Sequence, residues 1–226
     1  MFAAVNVKLG RAGYFLNRIK TLQQDISNFA VIDRSKEQEF RANLDGFFFE
    51  IISAKDFFLQ AINDTYKLGL RKNNATDISR LKCQLGFSVL RKSQSDMKSL
   101  KNAFKVVESL ERLLSDKGSW LCRLNNYRNS ATHREILMEV HNIILPPMGD
   151  KKSSKIALQF PGQVVKTAYG EQKVDVPEEN LKICLLENPD EPSKGHADIE
   201  VIPYCEESLT RMKGLLERLY SELGLE

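Results

Sequence analysis

The chain has 226 residues, 42% of them apolar and 28% charged, which suits a soluble globular domain able to bury a real core. No apolar run approaches the ~18–20 residues that cross a bilayer, and the opening segment lacks the basic, apolar, small-residue order of a signal peptide. Both observations predict a cytoplasmic protein with no membrane partner. Net charge is only +3 but unevenly spread: residues 66–105 carry ten Lys/Arg against Asp77 and Asp96, whereas residues 171–226 carry fourteen acids against six bases.

Residues 5–26 return Val5, Leu9, Tyr14, Leu16, Ile19 and Leu22 at roughly helical spacing. The next segment is stronger. Phe40, Leu44, Phe47, Ile51, Ala54, Phe58 and Ala61 form one stripe, and Phe48, Ile52, Leu59 and Ile62 widen it. So broad a stripe predicts a helix central to the core, with the run of three phenylalanines taken as core packing. Gly69 and Asn73-Asn74 break the pattern. Thr76 or Asp77 then caps a short helix to about Leu85, and Ser95 or Asp96 opens another with Met97, Leu100, Phe104, Val107, Leu110 and Leu113 in register. A fifth helical pattern runs from Trp120 to about Ile144, where Pro146 and Pro147 stop it.

Residues 151–200 read differently. "SKIALQF", "QVVKTAY" and "LKICLLE" are short β-like runs set off by Pro and Gly. A last helix spans about Tyr204–Leu223, with Leu209, Met212, Leu216, Leu219 and Tyr220 facing inward. The predicted fold is mainly α: one domain over 1–226, an antiparallel helical bundle with a small β hairpin or three-stranded ribbon at 151–200, before the final helix.

Few residues suggest chemistry. Cys83, Cys122, Cys184 and Cys205 are too far apart in sequence for a zinc or redox motif and read as packed thiols. His196 and Asp198 on a loop are too few for a metal site, His141 reads as a helix-surface residue, and "KKSSK" (151–155) reads as a solvated turn. No metal or other cofactor is expected. The informative segment is "NNYRNSATHREI". In a continuous helix Asn129 and His133 stack at i and i+4, with Arg128 about 100° round from Asn129. If a helix instead begins here, Ser130 is its cap and the group lies at an anion-favouring N-terminus. Either way a permanent cation stands beside a side chain that titrates near neutrality. That pairing suits metal-free RNA cleavage: His133 as general base or acid, Arg128 on the developing phosphorane charge, Asn129 orienting the imidazole or holding a phosphate oxygen. Lys98, Lys101 and Lys105, within the basic segment, are the candidate phosphate contacts.

"RNSATH" resembles the motif of the HEPN superfamily: an Arg, a polar residue that is often Asn, and a His four to six residues after the Arg. "FRANLDGFFFEIISAKDFFLQAINDTYKLGL" is similar to the long second helix of a bacterial HEPN subgroup. The resemblance covers about residues 5–145 and the final helix. It implies a metal-independent endoribonuclease of the kind used in toxin–antitoxin, phage-defence or RNA-processing systems, with Arg128 and His133 catalytic. It also implies a homodimer whose two motifs make one composite site. HEPN toxins with a nucleotidyltransferase antitoxin partner often carry Tyr two residues after the His; Glu135 stands there, which argues against that partner. Other members are non-catalytic, so the alternative is an RNA- or protein-binding helical module.

Overall fold

The computed structural model describes residues 2–27, 34–91, 94–133, 140–144, 155–159, 165–167, 170–172, 182–186 and 196–225. The described chain is mainly helical. In order come α1 (Phe2–Ser27), α2 (Arg34–Thr65), α3 (Lys72–Ala75), α4 (Ile78–Arg91), α5 (Gln94–Ser115) and α6 (Trp120–His133). Then follow β1 (Val140–Ile144), β2 (Lys155–Gln159), β3 (Val165–Thr167), β4 (Gly170–Gln172), β5 (Lys182–Leu186), β6 (His196–Glu200) and α7 (Val201–Leu223). The chain divides into two compact units, 1–13 with 48–128 and 207–226, and 14–47 with 129–206.

The first unit is built on the C-terminal part of α2. Phe48, Ile51, Ile52, Phe58, Leu59 and Ile62 are fully buried there. Each such side chain contributes roughly 1.5–3 kcal/mol by leaving water. Phe48 stacks on Tyr127 of α6 with ring centroids 5.3 Å apart, and Phe58 meets Tyr220 of α7 edge-on at 4.9 Å. After Thr65 the chain reverses through left-handed backbone at Lys67 (φ 51°) and Gly69 (φ 73°), where only the glycine escapes steric cost. Asn63 pins the turn: its Nδ2 donates to the Leu70 carbonyl at 3.2 Å, and its Oδ1 accepts from the Leu70 N–H at 3.0 Å. Asp77 caps α4 by accepting from the Arg80 N–H at 3.2 Å. That helix runs past the expected Leu85 to Arg91 and packs on α5.

The second unit contains the later part of α1, the early part of α2 and the strands. Leu16, Ile19, Leu22, Phe40, Leu44 and Phe47 are buried in it, with Leu185, Val201 and Cys205. Gly46 leaves room for the Phe15 ring, whose Cε1 lies 2.8 Å from where a Cβ would stand. Burial pushes the Cys205 thiol far above the usual range, so this cysteine is an inert packing group.

Several sequence expectations fail here, the simplest at Tyr14, which is 62% exposed. The fifth helix does not reach Ile144: α6 is described to His133, and 140–144 form β1. Val140, Ile143 and Ile144 are β-branched and fit a strand. β1 pairs antiparallel with β2 on one side (Val140↔Gln159) and β5 on the other (Val140↔Cys184). Val140–Ile144 therefore do not continue the helix, and His141 is a strand residue; residues 134–139 lie outside the described residues. Nor is the β region a hairpin or three-stranded ribbon. It is a four-stranded antiparallel sheet, order β2-β1-β5-β6, with a separate β3-β4 pair. His196 and Asp198 belong to strand β6, not to a loop.

Candidate functional site

Ser119 determines where α6 begins. Its Oγ accepts from the N–H groups of Leu121 and Cys122, both at 3.2 Å, and donates to the Leu113 carbonyl. Ser130 is therefore inside the helix, not at its start, and the version of the site at a helix N-terminus is excluded. Leu121, Leu124 and Tyr127, spaced three apart, are fully buried. Tyr127 is held by Phe48, and the next residue on each helix also pairs: the Arg128 Cζ lies 5.9 Å from the centre of the Phe49 ring. The Arg128 Nε is shielded from solvent and the side chain is half-buried. An aromatic face suits a guanidinium, which is planar and weakly hydrated.

Phe49 also receives a second cation. Lys8 Nζ lies 5.6 Å from its centre and 5.5 Å from that of Phe57. Lys8 is itself 2.8 Å from Glu50 Oε2, and Arg11 is 3.7 Å from Glu50 Oε1. The Lys8–Glu50 contact is close in distance but outside hydrogen-bond alignment, so it acts as an ion pair. Asn129, next to Arg128, is exposed, and His133 follows it four residues on in α6.

The basic segment separates into two kinds of lysine. On α4, Lys82 is 2.6 Å from Glu111 and 3.7 Å from Glu108, and the Glu111 hydrogen bond raises its pKa. Arg80 is likewise 3.2 Å from Asp77. On α5, Lys98, Lys101 and Lys105 are exposed at i, i+3 and i+7, a single face, and none forms an ion pair among the described residues. This second group has charge to offer a polyanion, as do the exposed Lys67, Arg71, Lys72 and Arg91.

Sequence reasoning missed Phe49, Lys8 and Glu50. The three phenylalanines were expected in the core, and Phe47 and Phe48 are, but Phe49 is 42% exposed. Three consecutive residues sweep about 200° of a helix, so a one-sided core cannot hold them all; that arc was the available signal. Nothing local signals the Lys8–Glu50 pair, whose members are distant in sequence.

Among the described residues no three His, Cys, Asp or Glu gather as a metal site. No described helix is long and apolar enough to cross a membrane. Comparison with known protein families, with curated proteins and with solved structures yields no match.

Proposed function

We propose that this chain is a HEPN-like, metal-independent endoribonuclease working as a homodimer, its helices an antiparallel bundle of that type. The observation that carries the reading is the helical continuity of 120–133, with Asn129 and His133 one turn apart and the adjacent Arg128 guanidinium beside an aromatic ring. In the reaction the 2′-oxygen of RNA attacks the neighbouring phosphorus and the P–O5′ bond breaks. The 2′-OH proton passes to a base, and the 5′-oxygen takes one from an acid. His133 serves one of these roles, and the same residue of a second copy serves the other. Arg128 meets the charge that grows on the phosphorane oxygens. Asn129, exposed beside it, holds the imidazole or a phosphate oxygen. The products are 2′,3′-cyclic phosphate and 5′-hydroxyl ends.

Cleavage of mixed RNA in EDTA tests this. Wild type should cut and His133→Ala should lose at least the ~10²–10⁴ that general acid–base help supplies. RNA with a 2′-deoxy sugar at the cut site should resist. Persistent cutting by His133→Ala, or 5′-phosphate products that require Mg²⁺, would refute the mechanism.

One observation favours a second reading, a non-catalytic RNA-binding module. Arg128 is half-buried against Phe49, as an arginine that serves packing would be. Wild type that binds single-stranded RNA with a steep salt dependence and cuts none would establish that reading.

A further inference from the structure

Helix α4 leaves an apolar row in solvent. Cys83, Phe87 and Leu90 are exposed at i, i+4 and i+7, Phe87 to 50% and Leu90 to 83%. At about 100° per residue they lie opposite the buried Ile78, Leu81 and Leu85. A single exposed leucine is ordinary, but three apolar side chains along one helix face are a patch. Helix α5 packs beside α4, where Lys82 reaches Glu108 and Glu111. Its exposed Lys98, Lys101 and Lys105 lie opposite its own buried Leu100, Ala103, Val107 and Leu110. Both rows point away from the buried faces of a side-by-side pair. They therefore run next to each other on its outer surface, roughly 8–10 Å apart. Arg91 adds an exposed cation at the end of the apolar row. The described carboxylates of the pair, Glu108 and Glu111, already face Lys82, so the charge beside the apolar row is positive.

Gly86 shapes the strip between the rows. On α4 it falls between Lys82, on the α5 side, and the row from Cys83 to Leu90. A Cβ there would meet Phe104 at 3.8 Å, an ordinary contact, so packing on α5 does not require a glycine. A glycine also weakens a helix interior relative to alanine. What the missing side chain leaves is a shallow furrow. A second copy of this face would set lysines against lysines, and like charges repel. A partner that covers both rows needs an apolar stripe one residue wide with acids along one flank. An amphipathic helix has that form: its stripe meets Cys83, Phe87 and Leu90 while its acidic flank stands over the lysines. We propose that the outer face of α4 and α5 docks an acidic amphipathic helix of a partner protein. This docking stands apart from the ribonuclease reading and shares only the three lysines with it. RNA phosphates need those lysines alone, whereas a helix needs the apolar row as well.

The test uses the full-length chain and a fluorescein-labelled designed helical peptide, with leucines at i, i+4 and i+7 and glutamates along one flank. A peptide of the same composition, scrambled so that no stripe forms, is the control. Fluorescence anisotropy should show wild type binding the striped peptide and not the scrambled one. Phe87→Ala with Leu90→Ala should weaken binding about tenfold or more, as truncating interface anchors does. Circular dichroism melts of that variant should match wild type, since both side chains are at least half exposed. Changing Lys98, Lys101 and Lys105 to Gln together should also weaken binding and remove most of its salt dependence. Gly86→Leu should fill the furrow and weaken binding although it adds apolar surface. Equal binding of the two peptides, no binding of the striped one, or full affinity in the Phe87→Ala, Leu90→Ala variant overturns the proposal. Tighter binding by Gly86→Leu does so too, because a general apolar patch would then be at work. If phosphatidylserine vesicles bind the chain through Phe87 and Leu90 and the striped peptide does not, the face belongs to a bilayer surface instead. If light scattering shows a dimer that the Phe87→Ala, Leu90→Ala variant splits, it belongs to a second copy.

Discussion

Helices α2 and α5 carry charge in opposite ways. From Phe47 to Asn63 every position of α2 except Phe49 is buried or half-buried, and the buried set takes in Glu50, Ser53, Lys55 and Asn63 along with the apolar residues. α5 has two faces: Leu100, Ala103, Val106, Val107 and Leu110 are buried, and Lys98, Lys101 and Lys105 are exposed. A charge on α2 has lost most of its water and depends on the group packed against it. The lysines on the outer face of α5 keep their water on folding. Substitutions at the buried charges of α2 therefore act on stability, and those on the lysine face of α5 act on binding.

The largest effect should come from Glu50→Gln. Lys8 and Glu50 have side chains only 14% and 10% exposed. Removing the carboxylate leaves the ammonium desolvated and unpaired, a change that costs about 3 kcal/mol. The urea midpoint should fall accordingly. Lys8→Met combined with Glu50→Gln should recover most of the loss, since replacing both charges removes the orphan. An unchanged midpoint in Glu50→Gln would mean that α2 is not the closed environment its burial implies.

Gly46→Ala, one turn before Glu50, tests packing without charge. The new Cβ would stand 2.8 Å from Cε1 and Cζ of Phe15. Overpacking costs about 1–3 kcal/mol, against about 1 kcal/mol gained from alanine's better helix propensity. The net expectation is a loss of about 1 kcal/mol in equilibrium unfolding. Phe15→Leu in the same chain should relieve it.

Asp45 brings pH into the comparison. Burial raises its carboxyl from 3.8 to about 6, against partial opposition from the Arg41 guanidinium. The native state thus keeps a proton that the unfolded chain has released. The stability this gives is fully present below pH 3.8 and is lost as pH rises through about 6. Asp45→Asn should therefore match wild type at low pH and exceed it at pH 7. The side chain is partly exposed, and solvent screening reduces the gain to on the order of 1 kcal/mol. Melting curves at pH 4 and pH 7 measure it; a difference between the two proteins that does not change with pH would refute the assignment.

These contrasts also show what periodicity can and cannot reveal. The α2 stripe from Phe40 through Leu44, Phe47, Ile51, Ala54 and Phe58 to Ala61 was legible, and all seven are buried. A 3.6-residue period is a local property, and the core on one side of a helix imposes it. Val140–Ile144 was misread because short apolar runs fit either period. Its strand identity comes from β2 and β5, which lie later in the chain. The candidate site divides in the same way. The spacing of Arg128, Asn129 and His133 is written locally, and α6 keeps it. The setting of Arg128 comes from Phe49 and that of Phe49 from Lys8, which are long-range contacts.

The smallest effect on stability, and the most useful for function, should come from α5. Reversing Lys98, Lys101 and Lys105 to Glu together removes no buried contact and no ion pair among the described residues. Scattered surface changes of this kind stay within about ±0.5 kcal/mol each, so the unfolding midpoint should barely move. RNA affinity should respond differently. Each phosphate neutralised by a lysine contributes about −0.7 to the slope of log affinity against log salt for a single strand. Losing three such contacts should flatten the slope by about 2 and weaken binding most at low salt. Lys82→Glu is the matched control. Lys82 is already neutralised by Glu108 and Glu111, so reversing it should disturb the packing of α4 on α5 while leaving the salt slope in place. If the α5 triple variant keeps the wild-type slope, the lysine row is a solvated face and the RNA path lies elsewhere. If Lys82→Glu flattens the slope as much as the triple variant does, the division between paired and open charge on these helices is wrong.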